Sequence, residues 1–307
     1  MTGAAIDRAG QALRDGRLVI LPTETVYGLA ADAANPEAVA AIFEAKGRPR
    51  FNPLIAHVAD AAAAERLATF DDRARRLAEA FWPGPLTIVA PVRDREAVCD
   101  LARAGLDSVA VRAPGHARVR AVIAAFGGAV VAPSANRSGR PSPTTFEDAV
   151  EETGAFAAEA VDGGPCAVGV ESTVVSVLDG RVALLRPGAV TAEELEALIG
   201  PLDRAAGEGH RSPGRLALHY APDAPVRINA AGAEHGEILL GFGPGVGDTR
   251  WSLSPEGDLR QAAARLFRLL READRERPSG IAVAPIPAQG LGEAINDRLK
   301  RAAGFVG

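Results

Sequence analysis

"RLVILPTETVYGLAADAANPEAVAAIFEAKG", residues 17–47, holds in one stretch the two patterns that set the fold. Leu18 to Leu21 are a short apolar run closed by Pro22, which reads as a strand. From Asn35 the period changes. Asn35 suits a helix N-cap, Pro36 the first helical position, and Gly47 a left-handed stop. Strand then helix is the unit of an α/β protein, and it recurs. "LTIVAPV" (86–92), "SVAVRAP" (108–114), "AVVAP" (129–133) and "STVVSVL" (172–178) are further β-branched runs. The prediction is a twisted open mixed sheet with helical cover over residues 1–200.

At 307 residues and 47% hydrophobic, the chain has material for one large core or two domains. Residues 201–224 lose the alternation and gain Gly, Pro and isolated charges, as a linker does. Beyond it, "EILLGFG" (237–243), "GDLRQAAARLFRLLREAD" (257–274), "IAVAP" (281–285) and a last helix predict a smaller C-terminal Rossmann-like α/β domain over 225–307. Leu259, Ala263, Leu266, Phe267 and Leu270 fall on one stripe of its long helix, and "READRERP" (271–278) reads as that helix's solvated end. "GFGPGVGD" (241–248) imitates a dinucleotide loop without the βαβ context that gives such a loop meaning.

The first residues carry charges every few positions, and no stretch is apolar over the ~18 residues a membrane span needs. A soluble, cytoplasmic protein without membrane contact is the expectation. The net charge of -5 argues against a surface coated for nucleic acid, leaving room for a local basic cleft and a weak RNA contact. Cys99 and Cys166 stand in neither metal-ligand nor redox spacing and read as two reduced thiols. Among 34 basic residues only Lys46 and Lys300 are lysine, so a lysine inside a motif draws notice.

Three stretches can carry chemistry. "LPTETVYGLA" (21–30) packs two threonines, a glutamate and a tyrosine into a bend after the first strand, either to meet a ligand or to cap its own backbone. "KGRPRFNPLIAHV" (46–58) crowds Lys46, Arg48 and Arg50 at a helix end, where the dipole favours cations and a polyanion would too. "APSANRSGRPSPT" (132–144) offers Ser134, Asn136, Ser138 and Ser142 as short polar groups beside Arg137 and Arg140. With Arg112 and Arg186 at strand ends, the simplest shared ligand is a nucleotide or polyphosphate. There is no Walker P-loop, His-Glu-x-x-His motif, nucleophile elbow or cysteine cluster, so its cradle is a less common one.

"PTETVYGL", "KGRPRFNPLIAHV", "WPGPLT", "VAVRAPGH", "APSANRSGRPSPT", "ESTVV" and "RPG" occur in the order of the YrdC-like family. "SPGRLALHYAP", "LSPEGDLRQAAARLF" and "GLGEAINDRLKRAA" resemble its long two-domain form, the threonylcarbamoyl-AMP synthase family. The resemblance covers nearly the whole chain. It implies an enzyme that joins L-threonine, bicarbonate or CO2, and ATP into threonylcarbamoyl-adenylate with release of pyrophosphate. The product would pass to tRNA threonylcarbamoyl-transfer proteins.

Carried over by position, Thr23, His57, Arg112, Ala132 and Ser172 would contact threonine. Arg48, Asn52, Ser108, Ser134, Asn136, Ser142, Arg186 and Tyr220 would contact ATP, and Lys46 and Arg48 would be the catalytic pair. Ser108 stands where the family pattern has threonine. Mg2+ would arrive with ATP, and no protein-bound structural metal is expected. His219 and Tyr220 would form an active-site lid hinged at Gly207, Gly209 and Gly214.

Three other readings separate from this one. An RNA-binding module would want more aromatic residues than two tyrosines allow. A hydrogenase-maturation carbamoyl transferase would be far longer and carry zinc-finger cysteines, and a nucleotide sensor would ignore threonine.

Overall fold

The computed structural model describes residues 3–204 and 219–304, so Gly207, Gly209 and Gly214 lie outside the described residues. Ten strands form one mixed sheet: β1 (Val19–Leu21), β2 (Gly28–Asp32), β3 (Ile55–His57), β4 (Leu86–Pro91), β5 (Ser108–Arg112), β6 (Val130–Val131), β7 (Glu159–Ala160), β8 (Thr173–Leu178), β9 (Arg181–Arg186) and β10 (Asp203–Arg204). Their spatial order is β10-β9-β8-β4-β5-β3-β6-β2-β1-β7. Interleaved are α1 (Gly3–Arg14), α2 (Pro36–Lys46), α3 (Ala61–Leu67), α4 (Asp72–Phe81), α5 (Asp100–Arg103), α6 (Ala117–Phe126), α7 (Phe146–Thr153) and α8 (Ala192–Ile199). Helix α2 begins and ends as its punctuation dictates. The Asn35 side chain accepts a hydrogen bond from the Ala38 amide, and Gly47 closes the helix at φ 58°.

The sheet's two faces are used differently. Ala56, Ile88, Val109, Val111, Val131 and Val175 point into the main core with Ile42 and Phe43 of α2 and Leu77 of α4. On the other face α1 and α6 cover Val19, Leu21, Ala30 and Val130. That leaves a short apolar strip of Ile55, Val89, Ala110 and Val174 mid-sheet, and Ile55 of this strip lines the candidate site. Side chains alternate along a strand, so His57 shares a face with Ile55, and Ser108 and Arg112 share one with Ala110.

The C-terminal part is a parallel four-stranded sheet of β11 (Val226–Arg227), β12 (Glu237–Phe242), β13 (Ser252–Ser254) and β14 (Gly280–Val283). Its order is β11-β14-β12-β13, with α9 (Leu259–Arg275) and α10 (Leu291–Ala302). Its core takes in Val26, Val170 and Tyr220, which joins it to the larger unit through apolar contact. At the junction Gly169 has φ 77°, and a Cβ there would lie 2.4 Å from the Ala263 carbonyl oxygen and the Ala264 Cα. Only glycine lets α9 come this close to the loop leading into Glu171.

One sequence expectation holds only in part. Arg275, Glu276 and Arg277 are exposed, as at a solvated helix end, but α9 turns Arg271 and Asp274 onto the large unit. Arg271 is buried and meets Glu152 at 2.9 Å, Arg275 meets Asp148 at 2.5 Å, and Asp274 receives Arg140 at 3.1 Å. A buried ion pair and a solvated one look alike in a string of letters. Among the described residues no helix is long and apolar enough to cross a membrane.

Candidate active site

Thr25, Arg48, His57, Arg112, Ala132, Ser134, Glu171, Ser172, Arg186, His219 and Tyr220 line one cavity together with Ile55 of the apolar strip. Its volume is about 50 Å³, against the ~300–1,000 Å³ of a typical ligand pocket. The walls are therefore drawn together, and they must part for a nucleotide to enter.

Strand pairing sets the first wall, because β3 and β5 run parallel with His57 opposite Arg112. Arg112 is almost fully buried. It donates from Nε to the Gly84 carbonyl at 3.1 Å, from one terminal nitrogen to Thr25 Oγ1 at 3.0 Å, and from the other to Glu24 Oε1 at 2.7 Å. Burial alone would raise the Glu24 pKa, but the Arg112 charge and a backbone hydrogen bond at Gly115 hold it below the usual range. The His57 ring places Nδ1 3.1 Å from the Ile55 carbonyl oxygen. A proton on Nδ1 satisfies that contact and leaves Nε2 as an acceptor. Burial, reinforced by Arg112, pushes the His57 pKa down to about 3, so the ring is neutral.

On the opposite side, Arg186 ends β9 and donates to the Ser172 carbonyl at 2.9 Å and to Ser172 Oγ at 3.1 Å. Ser172 Oγ also shares a hydrogen bond with Thr87 Oγ1 at 2.8 Å. Arg48 donates to the carbonyls of Asn52 and Pro53 at 3.4 and 3.3 Å. The 132–144 stretch forms the third wall. Lys46 is buried and donates to the carbonyls of Ser134 and Asn136, which ties α2 to this loop. The Asn136 amide donates to the Arg137 and Arg140 carbonyls at 2.7 and 2.9 Å. Ser142 donates to Glu171 Oε1 at 2.5 Å.

The segment carrying Tyr220 is held from both units. Ala221 N donates to the Gly139 carbonyl at 2.7 Å, and the Tyr220 ring packs 5.3 Å from that of Phe267 on α9. Tyr220 is fully buried with φ 63°.

Nine of the fifteen residues expected from the sequence line one cavity; Asn52, Asn136 and Ser142 are not among its lining residues, and Thr23, Lys46 and Ser108 are placed otherwise as well. The Thr23 hydroxyl accepts from the backbone amides of Thr25 and Val26 at 3.2 and 3.1 Å, a turn capping itself, while Thr25 faces the cavity. Lys46 is not among the lining residues and spends its hydrogen bonds on carbonyls. Ser108 shares a face of β5 with Arg112 but lies four residues, roughly 13 Å, along the strand. Sequence reading named Glu24 only as part of the 21–30 bend and gave it no role, and it missed Glu171 and Arg298. Arg298 had left a signal: it interrupts the apolar stripe of Leu291, Ala294, Ile295, Leu299 and Ala302.

The buried rings make the protein acid-sensitive. Burial, with Arg48 and Lys46 nearby, also pushes the His219 pKa down to about 3. Histidines in the unfolded chain titrate near 6.5, so below that pH the unfolded state binds more protons and stability falls, by about 1.4 kcal/mol per pH unit for each ring. Urea unfolding at pH 5 should show a loss of about 4 kcal/mol relative to pH 7. The depressed Glu24 and Glu171 add to this only below about pH 4.5. Equal stability at the two pH values would contradict two neutral buried rings.

The chain has clear relatives. Residues 11–188 match the domain family described as Telomere recombination, and residues 190–304 match the threonylcarbamoyl-AMP synthase C-terminal domain. The threonylcarbamoyl-AMP synthase of Bacillus subtilis is 40% identical over 97% of this chain and 93% of its own length. That of Pyrococcus abyssi is 38% identical over 95% and 92%. A crystal structure of P. abyssi Sua5 complexed with L-threonine superposes with a TM-score of 0.88 at 37% identity, covering 98% of this chain and 94% of that one. Both family matches occur in order and together span residues 11–304 almost without a gap, so the chain belongs to the threonylcarbamoyl-AMP synthase family in its two-domain form.

Proposed function

We propose that this protein condenses L-threonine, bicarbonate or CO2, and ATP into threonylcarbamoyl-adenylate with release of pyrophosphate, for threonylcarbamoyladenosine formation in tRNA. The observation that carries the reading is the convergence of Arg48, Arg112 and Arg186 with a neutral His57 on one cavity, in a chain of this family. Two anions must meet there, and three guanidiniums suit them.

Each wall has its part. Arg112 has five N–H groups and spends three on Gly84, Thr25 and Glu24, so two remain for a two-pronged grip on the threonine carboxylate. His57 Nε2 accepts from the threonine hydroxyl or amine, with Ser172 and the Ala132 backbone beside it. Arg48, Ser134 and Arg186 serve the phosphates and ribose with Tyr220 beside them, and Asn52, Asn136 and Ser142 support this wall from behind its lining residues. Lys46 acts by holding the Ser134–Asn136 loop in shape. Thr23 acts through the turn that presents Thr25, and Ser108 is reached only if the nucleotide extends along β5.

The chemistry asks for little side-chain base. Carbamoylated threonine is already anionic; its carbamate oxygen bonds to the α-phosphorus, the bond from that phosphorus to the bridging oxygen breaks, and the electron pair leaves with pyrophosphate. Alignment and stabilisation of the developing charge then suffice. Mg2+ enters as part of the ATP substrate. Among the described residues Glu171 is the one acidic residue on the wall, and no cluster of acidic, His or Cys side chains could cage a metal. The product is a mixed anhydride, so the cover over the cavity also keeps water away. A cytoplasmic setting beside tRNA and the proteins that accept the intermediate follows from this role.

The test is pyrophosphate release from ATP with Mg2+ and bicarbonate, run with L-threonine, L-serine, glycine or no amino acid. Release that needs both threonine and bicarbonate is the expected outcome. ATP binding with no threonine-dependent release would leave a nucleotide sensor in its place.

A further inference from the structure

A carboxylate is out of place on the wall of a polyphosphate site, and Glu171 is there. Two groups approach it from opposite sides. Ser142 donates to Oε1 at 2.5 Å, and Arg298 donates from Nε to Oε2 at 3.0 Å. Arg298 comes from α10 of the small C-terminal unit and is fully buried. It also donates to the Pro187 carbonyl at 2.6 Å, next to Arg186, and its guanidinium carbon lies 5.6 Å from the centre of the Tyr220 ring. One side chain from the small unit therefore touches the acidic point of the wall, the segment carrying Arg186, and the ring that closes the cavity. Burial would raise the Glu171 pKa; the Arg298 charge foremost, then Arg186 and the Ser142 hydrogen bond, reverse this and keep it ionised.

We propose that Arg298 is a positioning residue of the ATP site: the C-terminal unit completes the nucleotide wall by neutralising Glu171, so that this carboxylate can hold Ser142 without repelling the phosphates. This role rests on the ATP reading of the cavity. It predicts a specific defect. Without Arg298, Glu171 remains as an uncompensated negative charge facing the phosphates, so ATP suffers and threonine, held on the β3–β5 side, does not.

The experiment measures Mg-ATP and L-threonine affinity separately by calorimetry, on the full chain carrying Arg298→Met, Glu171→Gln or both. Arg298→Met should weaken ATP at least tenfold and change threonine affinity less than twofold. Adding Glu171→Gln to it should restore ATP affinity to within about threefold of the Glu171→Gln protein. A general packing role would weaken both ligands, and no second substitution at Glu171 would repair it. Should Arg298→Met fail to fold alone, the comparison of Glu171→Gln with the double variant still decides, because their ATP affinities should nearly coincide. A double variant tenfold weaker than Glu171→Gln, or an Arg298→Met protein with normal ATP affinity, would overturn the proposal. Affinity is read without turnover, so a wild-type protein that binds ATP but releases no pyrophosphate would fail the synthase reading and leave this test standing.

Discussion

An Arg112→Lys protein should lose about two orders of magnitude in threonine affinity while its affinity for ATP changes little. Lysine keeps the charge, but its point-like ammonium cannot reproduce a planar fork that already serves the Gly84 carbonyl, Thr25 Oγ1 and Glu24 Oε1. Three geometric anchors fix the guanidinium, and the free edge then meets a carboxylate with two charge-assisted hydrogen bonds. Each such bond is worth roughly 1.5–3 kcal/mol, so losing the two-pronged grip costs about 3 kcal/mol, which is a hundredfold. Arg112→Met should do more, because it strands Glu24, whose Oε2 is already buried without a hydrogen-bond partner. Breaking a buried pair by removing one member costs about 3–5 kcal/mol of stability. Threonine titration together with urea unfolding separates the two effects. If Arg112→Lys bound threonine normally, the carboxylate clamp would lie elsewhere.

The chain's punctuation made much of the fold legible. Asn35, Pro36 and Gly47 bound α2 as local rules require, and the β-branched runs at 86–91, 108–112 and 173–178 became β4, β5 and β8. Short strands were harder. β2 is Gly28–Asp32, two of whose residues are alanine, so its strand character comes from pairing with β1 and β6 and not from its own letters. The site was legible as a set of residues and not as a geometry. Thr23 and Thr25 are equivalent in sequence, and only the turn decides which hydroxyl is consumed by its own backbone. Lys46 looked like a charge for a ligand, yet its neighbours are carbonyls. The charges on α9 and α10 depended on contacts more than a hundred residues away, Arg271 with Glu152 and Arg298 with Glu171, which no local pattern encodes.

Cutting the chain after Arg204 should leave a folded large unit whose threonine-dependent pyrophosphate release falls at least a hundredfold. Folding should survive because the two main clusters of the large sheet draw no residue from beyond position 204. Stability should drop nevertheless, since Val26 and Val170 lose the apolar cover of the C-terminal core and Glu152 loses Arg271. Activity should drop much further, for two reasons that act on different steps. His219 and Tyr220 leave with the cut, so water reaches a mixed anhydride that the closed cavity would shield. Glu171 also loses Arg298 and stands bare against the phosphates. Together these ask for the removal of about 3 kcal/mol or more of transition-state stabilisation. Circular dichroism on the fragment establishes its fold, and pyrophosphate release compared with recovered adenylate tells the steps apart. Weak ATP binding accounts for low pyrophosphate, while an unshielded product shows as pyrophosphate without adenylate. A folded fragment with full activity and intact adenylate would remove the C-terminal unit from the reaction, and with it the reason for a fully buried arginine to reach across to the nucleotide wall.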